Sequence, residues 1–257
     1  MPCHQPTGVP NTTGSLPHVA AKLAAGKPVV IIAFGSSSTQ GYGSSAPEFT
    51  YPSRLAAQLR RQYPSADITV LNRGKGGEDA PEMMKRLQTE VIDMHPDMVI
   101  WQVGTNAVLR NLDPSETAKQ VEDGVARIQA DGADLVLVDP QYSPRVTERP
   151  ESARGMVKLL GRIAALRHVG IFPRFEVMRD WHERQAIPIN DFVIDDGLHM
   201  NDWAMPASPN CSATTSSARS ARSRSASTCR PTCGRTGRCD RPRFARTRWR
   251  GSQNVGA

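Results

Sequence analysis

Five short apolar runs, each set apart by a stretch of helical periodicity, constrain this chain more than any other feature. The runs are residues 29–34, 68–72, 98–103, 135–138 and 169–172. Their continuous, non-alternating apolar character suits strands buried on both faces of a parallel sheet. Helices are predicted over residues 51–62, 81–94, 115–130 and 151–167, with shorter ones over 17–25 and near 174–185. In the first of these, Leu55, Leu59 and Tyr63 recur at helical spacing, and Arg54, Arg60 and Arg61 fall on other faces. Ser115, after Pro114, predicts a helix start, and Gly132 a helix end. The order βαβα predicts an α/β fold, a three-layer α/β/α parallel sheet, doubly wound, with helices on both faces. Ligands of such sheets bind beyond the carboxyl ends of the strands.

A chain of 257 residues is long enough for one such domain with a sizeable core. The reading divides it into an N-terminal arm (1–26), the α/β domain (27–203) and a tail (204–257). The tail is a different polymer. It holds eleven arginines, no lysine and one acid, Asp240, for a local charge of +10, so the rest carries −3 of the total +7. The α/β part therefore gives no reason to expect a nucleic-acid partner. Arginine in the tail would make it sticky at low salt, but Phe244 and Trp249 are too isolated to support base stacking. The Ser, Arg, Thr, Pro and Ala of the tail cannot bury enough apolar surface to offset ordering entropy, so disorder is expected there.

Four of the five cysteines, Cys211, Cys229, Cys233 and Cys239, lie in the tail, without a Cys-x-x-Cys pair and with no histidine after His199. No structural zinc site is expected. No apolar run is long enough for a membrane span. Met1-Pro2-Cys3-His4-Gln5 lacks a signal-peptide pattern, which makes the cytoplasm the default.

The break in composition falls straight after Asn201-Asp202-Trp203, where the fold calls for one more helix. One permitted codon choice for residues 204–211 reads, one base over, as Gly-Tyr-Ala-Cys-Leu-Ala-Gln-Leu, the start of a good helix. We read the tail as frameshifted. A version whose residues after Trp203 follow the alternative frame is expected to melt higher and turn over faster than the chain itself. Cutting after Trp203 is expected to change little. Melting curves and kcat/KM for the three proteins check this; no gain from the restored frame refutes it.

Two distant segments carry the chemistry. Phe34-Gly35-Ser36-Ser37-Ser38-Thr39 follows the first apolar run, and a small-residue loop there can lift a hydroxyl to the sheet edge. Asp196-Gly197-Leu198-His199 places a carboxylate three residues before an imidazole, close enough to orient it. Serine needs such a base, and the base needs an orienter. Asn72-Arg73-Gly74-Lys75-Gly76-Gly77 and Gly104-Thr105-Asn106 lie between and can supply oxyanion donors. Each feature also has an ordinary structural reading. Ser37 could cap a helix, with Ser36 and Ser38 as rival hydroxyls. His199 could be a packing histidine, Asp195 could orient in place of Asp196, and Gly76-Gly77 and Asn106 could serve turns. A glycine at 77 would let the backbone approach a substrate closely. His4, His18, His95, His168 and His182 fit no block, and Trp101 and Trp203 suit packing.

At these four blocks the chain resembles the SGNH (GDSL) hydrolases, over roughly residues 28–203 and in the right order. The resemblance implies a flavodoxin-like α/β/α fold and esterase activity. It implies Ser37 as nucleophile, His199 as base and Asp196 as its orienter, with Ser37, Gly77 and Asn106 around the oxyanion. It implies no metal and no organic cofactor. The partner would be a small-molecule, carbohydrate or lipid acyl ester, and a short acyl chain suits the few bulky aromatics. Relatives are often periplasmic or secreted, which leaves export open. Two positions depart from the family: Ser36 stands where an aspartate is usual, and Ala107 where an aspartate often follows the asparagine. Two other classes compete. A small-residue loop after the first strand can cradle a phosphate, as in a flavin- or nucleotide-binding protein, although such a site has no use for Asp196 and His199. An aberrant tail could also leave an impaired hydrolase.

Overall fold

The computed structural model describes residues 14–204. The expectations for residues 1–13 and 205–257, including His4, the tail cysteines and the disordered tail, lie outside the described residues. Five parallel strands form one sheet: β1 (Val29–Gly35), β2 (Ile68–Gly74), β3 (Met98–Gln102), β4 (Asp134–Val138) and β5 (Gly170–Phe172). Their order is β2-β1-β3-β4-β5, the doubly wound topology expected.

The strands sort their side chains by alternation. Val29, Ile31 and Ala33 of β1, with Met98, Ile100, Val136 and Val138, form one core. Ile32 and Phe34, with Val99, Trp101, Leu135 and Leu137, form the other. A strand must be apolar at every position to fill both, which is why its runs are continuous. Full burial of each such side chain stabilises the fold by roughly 1.5–3 kcal/mol. The first core is covered by α1 (Pro17–Ala24), α3 (Tyr51–Gln62) and α9 (Arg174–Glu183). The second is covered by α4 (Ala80–Glu90), α6 (Pro114–Ala130) and α8 (Pro150–Arg167). Trp101 is buried in it and Trp203 packs edge-on against Trp181, so both serve packing.

The edge strand β2 corrects one expectation. Its residues are half-buried or exposed, because no strand lies beyond it. Three short helices carried too few periodic residues to be read from the pattern: α2 (Ser37–Gln40), α5 (Thr105–Leu109) and α7 (Pro144–Thr147). The helix expected from Ser115 begins one residue earlier, at Pro114. Its cap is Asp113, whose carboxylate accepts the Ser115 N–H at 2.8 Å.

Residues 16–24 of the expected arm are docked. Asp134 accepts the Val19 N–H at 2.9 Å, and Asp97 pairs with Lys22 at 2.6 Å and with His18 Nε2 at 2.8 Å. Burial raises the Asp97 carboxyl, but Lys22, the Val30 N–H and His18 outweigh it and hold the group below the usual carboxylate range. His182 meets the Ile187 carbonyl at 3.0 Å, and His168 closes the end of α8, so these histidines are structural. Among the described residues no helix is long and apolar enough to cross a membrane.

Candidate active site

Strands β1, β2 and β3 end side by side, with Gly35 paired to Gly74 and Phe34 to Trp101. Their carboxyl ends deliver Ser37, Gly77 and Asn106 to one edge of the sheet. The fourth block arrives from the end of the described chain. An antiparallel bridge between Val193 and Met200 closes a loop, with the Ile194 N–H donating to the His199 carbonyl at 2.9 Å. Inside it, Asp196 Oδ1 accepts the Leu198 and His199 N–H groups, both at 2.9 Å. Asp196 Oδ2 lies 2.5 Å from His199 Nδ1, and His199 Nε2 lies 2.8 Å from Ser37 Oγ. These last two groups are 162 residues apart in sequence.

A carboxylate only accepts, so the Nδ1 proton belongs toward Asp196 and Nε2 is left to accept the serine hydroxyl. Burial pushes the Asp196 carboxyl up. Hydrogen bonds from the His199 ring, the His199 N–H and the Leu198 N–H outweigh it and hold the group below its usual value. Asp196 therefore holds its charge to lower pH than a free aspartate does. It is Asp196, and not Asp195, that meets the imidazole.

The flanking serines are turned to other tasks. Ser36 and Ser38 are both 2% exposed. Gln102 Oε1, at the end of β3, accepts the Ser36 N–H at 2.9 Å, the Ser36 hydroxyl at 3.0 Å and the Thr39 hydroxyl at 3.3 Å. Tyr51 donates to Thr39 Oγ1 at 3.2 Å. That network holds the backbone on both sides of Ser37 and leaves its own hydroxyl to His199.

Gly77 takes a backbone angle that favours glycine. Its φ is +81°, and a Cβ there would meet nothing within 4 Å. The neighbouring Gly76 N–H is already taken by Gln40 Oε1 at 2.8 Å. Asn106 Nδ2 donates to the Glu78 carbonyl at 2.7 Å, which fixes the carboxamide and leaves its second N–H to spare. One turn on, Arg110 donates to the Gly77 carbonyl at 2.6 Å and to Asp79 at 2.7 Å. Thus α5 holds the Gly77 loop from two sides. Under it, the guanidinium of Arg86 lies over Phe34 and donates to the carbonyls of Gly35 at 3.1 Å and Arg73 at 2.9 Å.

A buried hub ties the histidine loop to the sheet. Gln141 Oε1, beyond β4, accepts from Thr105 at 2.9 Å and Arg174 at 2.8 Å, while its amide donates to the Leu198 carbonyl at 3.3 Å. Arg174 is fully buried and also donates to the Asp139 carbonyl at 3.0 Å. Gln102, Arg110, Gln141 and Arg174 were not singled out from sequence. The available signal was a polar residue directly at or after the end of an apolar run, as at Gln102 and Asp139. Among the described residues no three His, Cys, Asp or Glu side chains converge as a metal site requires.

Comparison with known proteins gives a family and a fold. The model of the non-GDSL lipase-like family matches residues 2–204. An arylesterase of Vibrio mimicus is 26% identical over 177 residues, covering 68% of this chain and 82% of that protein. Among solved structures, TesA aligns with a TM-score of 0.59 and 20% identity, over 69% of this chain and 92% of TesA. The acetyl xylan esterase AlAXEase aligns at 0.63 and 18%, over 72% and 99%. A two-domain esterase active on acetylated mannans aligns at 0.65 and 23%, over 78% of this chain and 53% of that one. By its family match and by the sheet that carries these groups, the chain belongs to the non-GDSL lipase-like family and has the fold of the SGNH-type hydrolases.

Proposed function

We propose that the chain hydrolyses carboxylic esters of short acyl chains by acyl transfer through Ser37. The observation behind this is the 2.8 Å contact of Ser37 Oγ with a histidine whose other nitrogen meets a half-buried carboxylate. Ser37 Oγ attacks the ester carbonyl carbon while His199 Nε2 takes its proton. Asp196 holds the ring and stabilises the imidazolium. The carbonyl oxygen gains charge and is met by the Ser37 N–H, the Gly77 N–H and Asn106 Nδ2. Neither of the two backbone N–H groups has an acceptor among the described residues, which leaves both for this oxygen. Collapse breaks the ester C–O bond, and His199 returns its proton to the departing alcohol. Water, deprotonated by His199, then attacks the acyl-enzyme and releases the acid, restoring Ser37.

The esterases among the similar proteins support the reaction class, and those acting on acetylated glycans favour a short acyl group. The phosphate-cradle reading has less to stand on. The N–H groups of Ser36, Thr39, Gln40, Gly41 and Tyr42 are engaged by Gln102 or by the carbonyls of Ser36 and Ser37, so most of the loop's donors are already spent. We also keep the division into a domain ending near Trp203 and a separate tail; the family match stopping at residue 204 supports it.

Release of p-nitrophenol from p-nitrophenyl acetate tests the proposal, and a well-folded chain with no turnover and no labelling by a fluorophosphonate would sink it. Asn106→Ala is expected to lower kcat by roughly 10²- to 10³-fold with little change in KM, because its hydrogen bond strengthens as charge develops. A change confined to KM would make Asn106 a substrate-binding residue instead.

A further inference from the structure

Tyr42 is a large, mostly apolar side chain left 58% exposed directly beside the candidate site. Its ring centroid lies 4.4 Å from that of His199, the planes tilted by 50°. The turn that carries it is built to hold it there. Gly41 and Gly43 on either side have φ of +107° and +94°. A Cβ on Gly41 would come within 2.2 Å of Thr50 Cγ2, and one on Gly43 within 2.4 Å of the Met200 carbonyl oxygen. Only glycine fits at either place. The Tyr42 N–H donates to the Ser37 carbonyl at 2.9 Å. Ser45 then closes the turn onto the far side of the histidine loop, its N–H at 2.9 Å and its hydroxyl at 2.5 Å from the Asp202 carboxylate. The Tyr42 hydroxyl has no partner among the described residues.

We propose that Tyr42 is the platform for the alcohol portion of the ester, favouring leaving groups that present the flat face of a ring. The proposal rests on the triad reading above. His199 returns its proton to the leaving oxygen, so the alcohol portion must pass along the imidazole, on the side that Tyr42 borders. Two of the three oxyanion donors, Gly77 and Asn106, come instead from the ends of β2 and β3, away from the Tyr42 turn. A pinned aromatic face with a free hydroxyl suits a ring that offers a C–H or π face together with polar edges. A pyranose ring and an aryl ring share that chemistry.

The test compares three acetate esters on the full chain: an acetylated methyl pyranoside, phenyl acetate and ethyl acetate. Tyr42→Ala and Tyr42→Leu are expected to lower kcat/KM for the two ring-bearing esters by roughly 2- to 10-fold more than for ethyl acetate. Tyr42→Phe should keep the preference for phenyl acetate and weaken it for the pyranoside, which needs the hydroxyl. Loss for the pyranoside alone assigns the platform to sugars, and loss for phenyl acetate alone to aryl groups. The leucine variant still covers the imidazole, so a purely structural role would spare it. An equal loss on all three esters, or none in either variant, overturns the proposal. Fluorophosphonate labelling of the same variants separates this from failure of the triad: if Tyr42 variants and the unaltered chain all refuse the label, the nucleophile is wrong and not the platform.

Discussion

Replacing Ser37 by alanine is expected to lower kcat/KM for p-nitrophenyl acetate by about 10⁴- to 10⁶-fold, because no other hydroxyl can take over. Ser36 Oγ points its hydrogen bond at Gln102, 3.0 Å away and inside the protein. Ser38 is equally buried. Neither hydroxyl bonds to His199, whereas that of Ser37 lies 2.8 Å from its Nε2. The same variant should lose fluorophosphonate labelling and keep its melting temperature within a degree or two, since the Ser37 side chain fills no core position. Ser38→Ala should keep the label. A Ser37→Ala protein that still labels would show that the four blocks have been read in the wrong register.

The second large effect is expected from Arg174→Met. Arg174 is a guanidinium with no exposed surface; removing it leaves the buried Asp139 carbonyl without its donor, takes one of two donors from Gln141 Oε1 and leaves the Asp139 carboxyl without a nearby cation. Breaking a buried arrangement of this kind typically costs about 3–5 kcal/mol. The cost should depend on pH, and the sign is fixed. Burial pushes Asp139 up to about 7, even with the Phe175 N–H and Arg174 favouring its charge. A carboxyl raised in the folded state contributes most below its unfolded value of about 3.9, and the contribution is lost as pH rises through the folded value. Without Arg174 the folded value rises further. The variant should therefore fall behind the parent more at pH 8 than at pH 5. Thermal melts at the two pH values check this, and a gap that is equal or reversed would remove Asp139 from the explanation. Activity should fall more steeply than stability, because Gln141 also holds the Leu198 carbonyl beside His199.

The layers and the four blocks could be read from the chain because each rests on local pattern. A strand such as β1 announces itself by six consecutive small or apolar residues, and α3 by the spacing of Leu55 and Leu59. Edge position is a property of the whole sheet, so nothing in residues 68–74 told β2 from β3. Helices of four or five residues, such as α2 and α5, complete too little of a turn pattern to register. The residues proposed to carry the chemistry are visible by type and order. The residues that aim them were not, because Gln102 meets Ser36 across 66 positions and Gln141 meets Leu198 across 57. At Gly77 the residue type is legible in the sequence, while the positive φ that favours it is a property of the folded loop.

The single oxygen of Gln102 has a bearing on how this chain can drift. Most SGNH hydrolases place an aspartate where Ser36 stands, and a carboxylate there would turn its lone pairs toward an amide oxygen that already serves three donors. Rotating the Gln102 amide would relieve that clash, but its nitrogen would then face the Ser36 N–H and leave that donor buried and unpaired. Positions 36 and 102 are therefore expected to couple, an aspartate at 36 being accommodated best together with a change at 102. A neutral elbow also places no fixed negative charge directly beside Ser37.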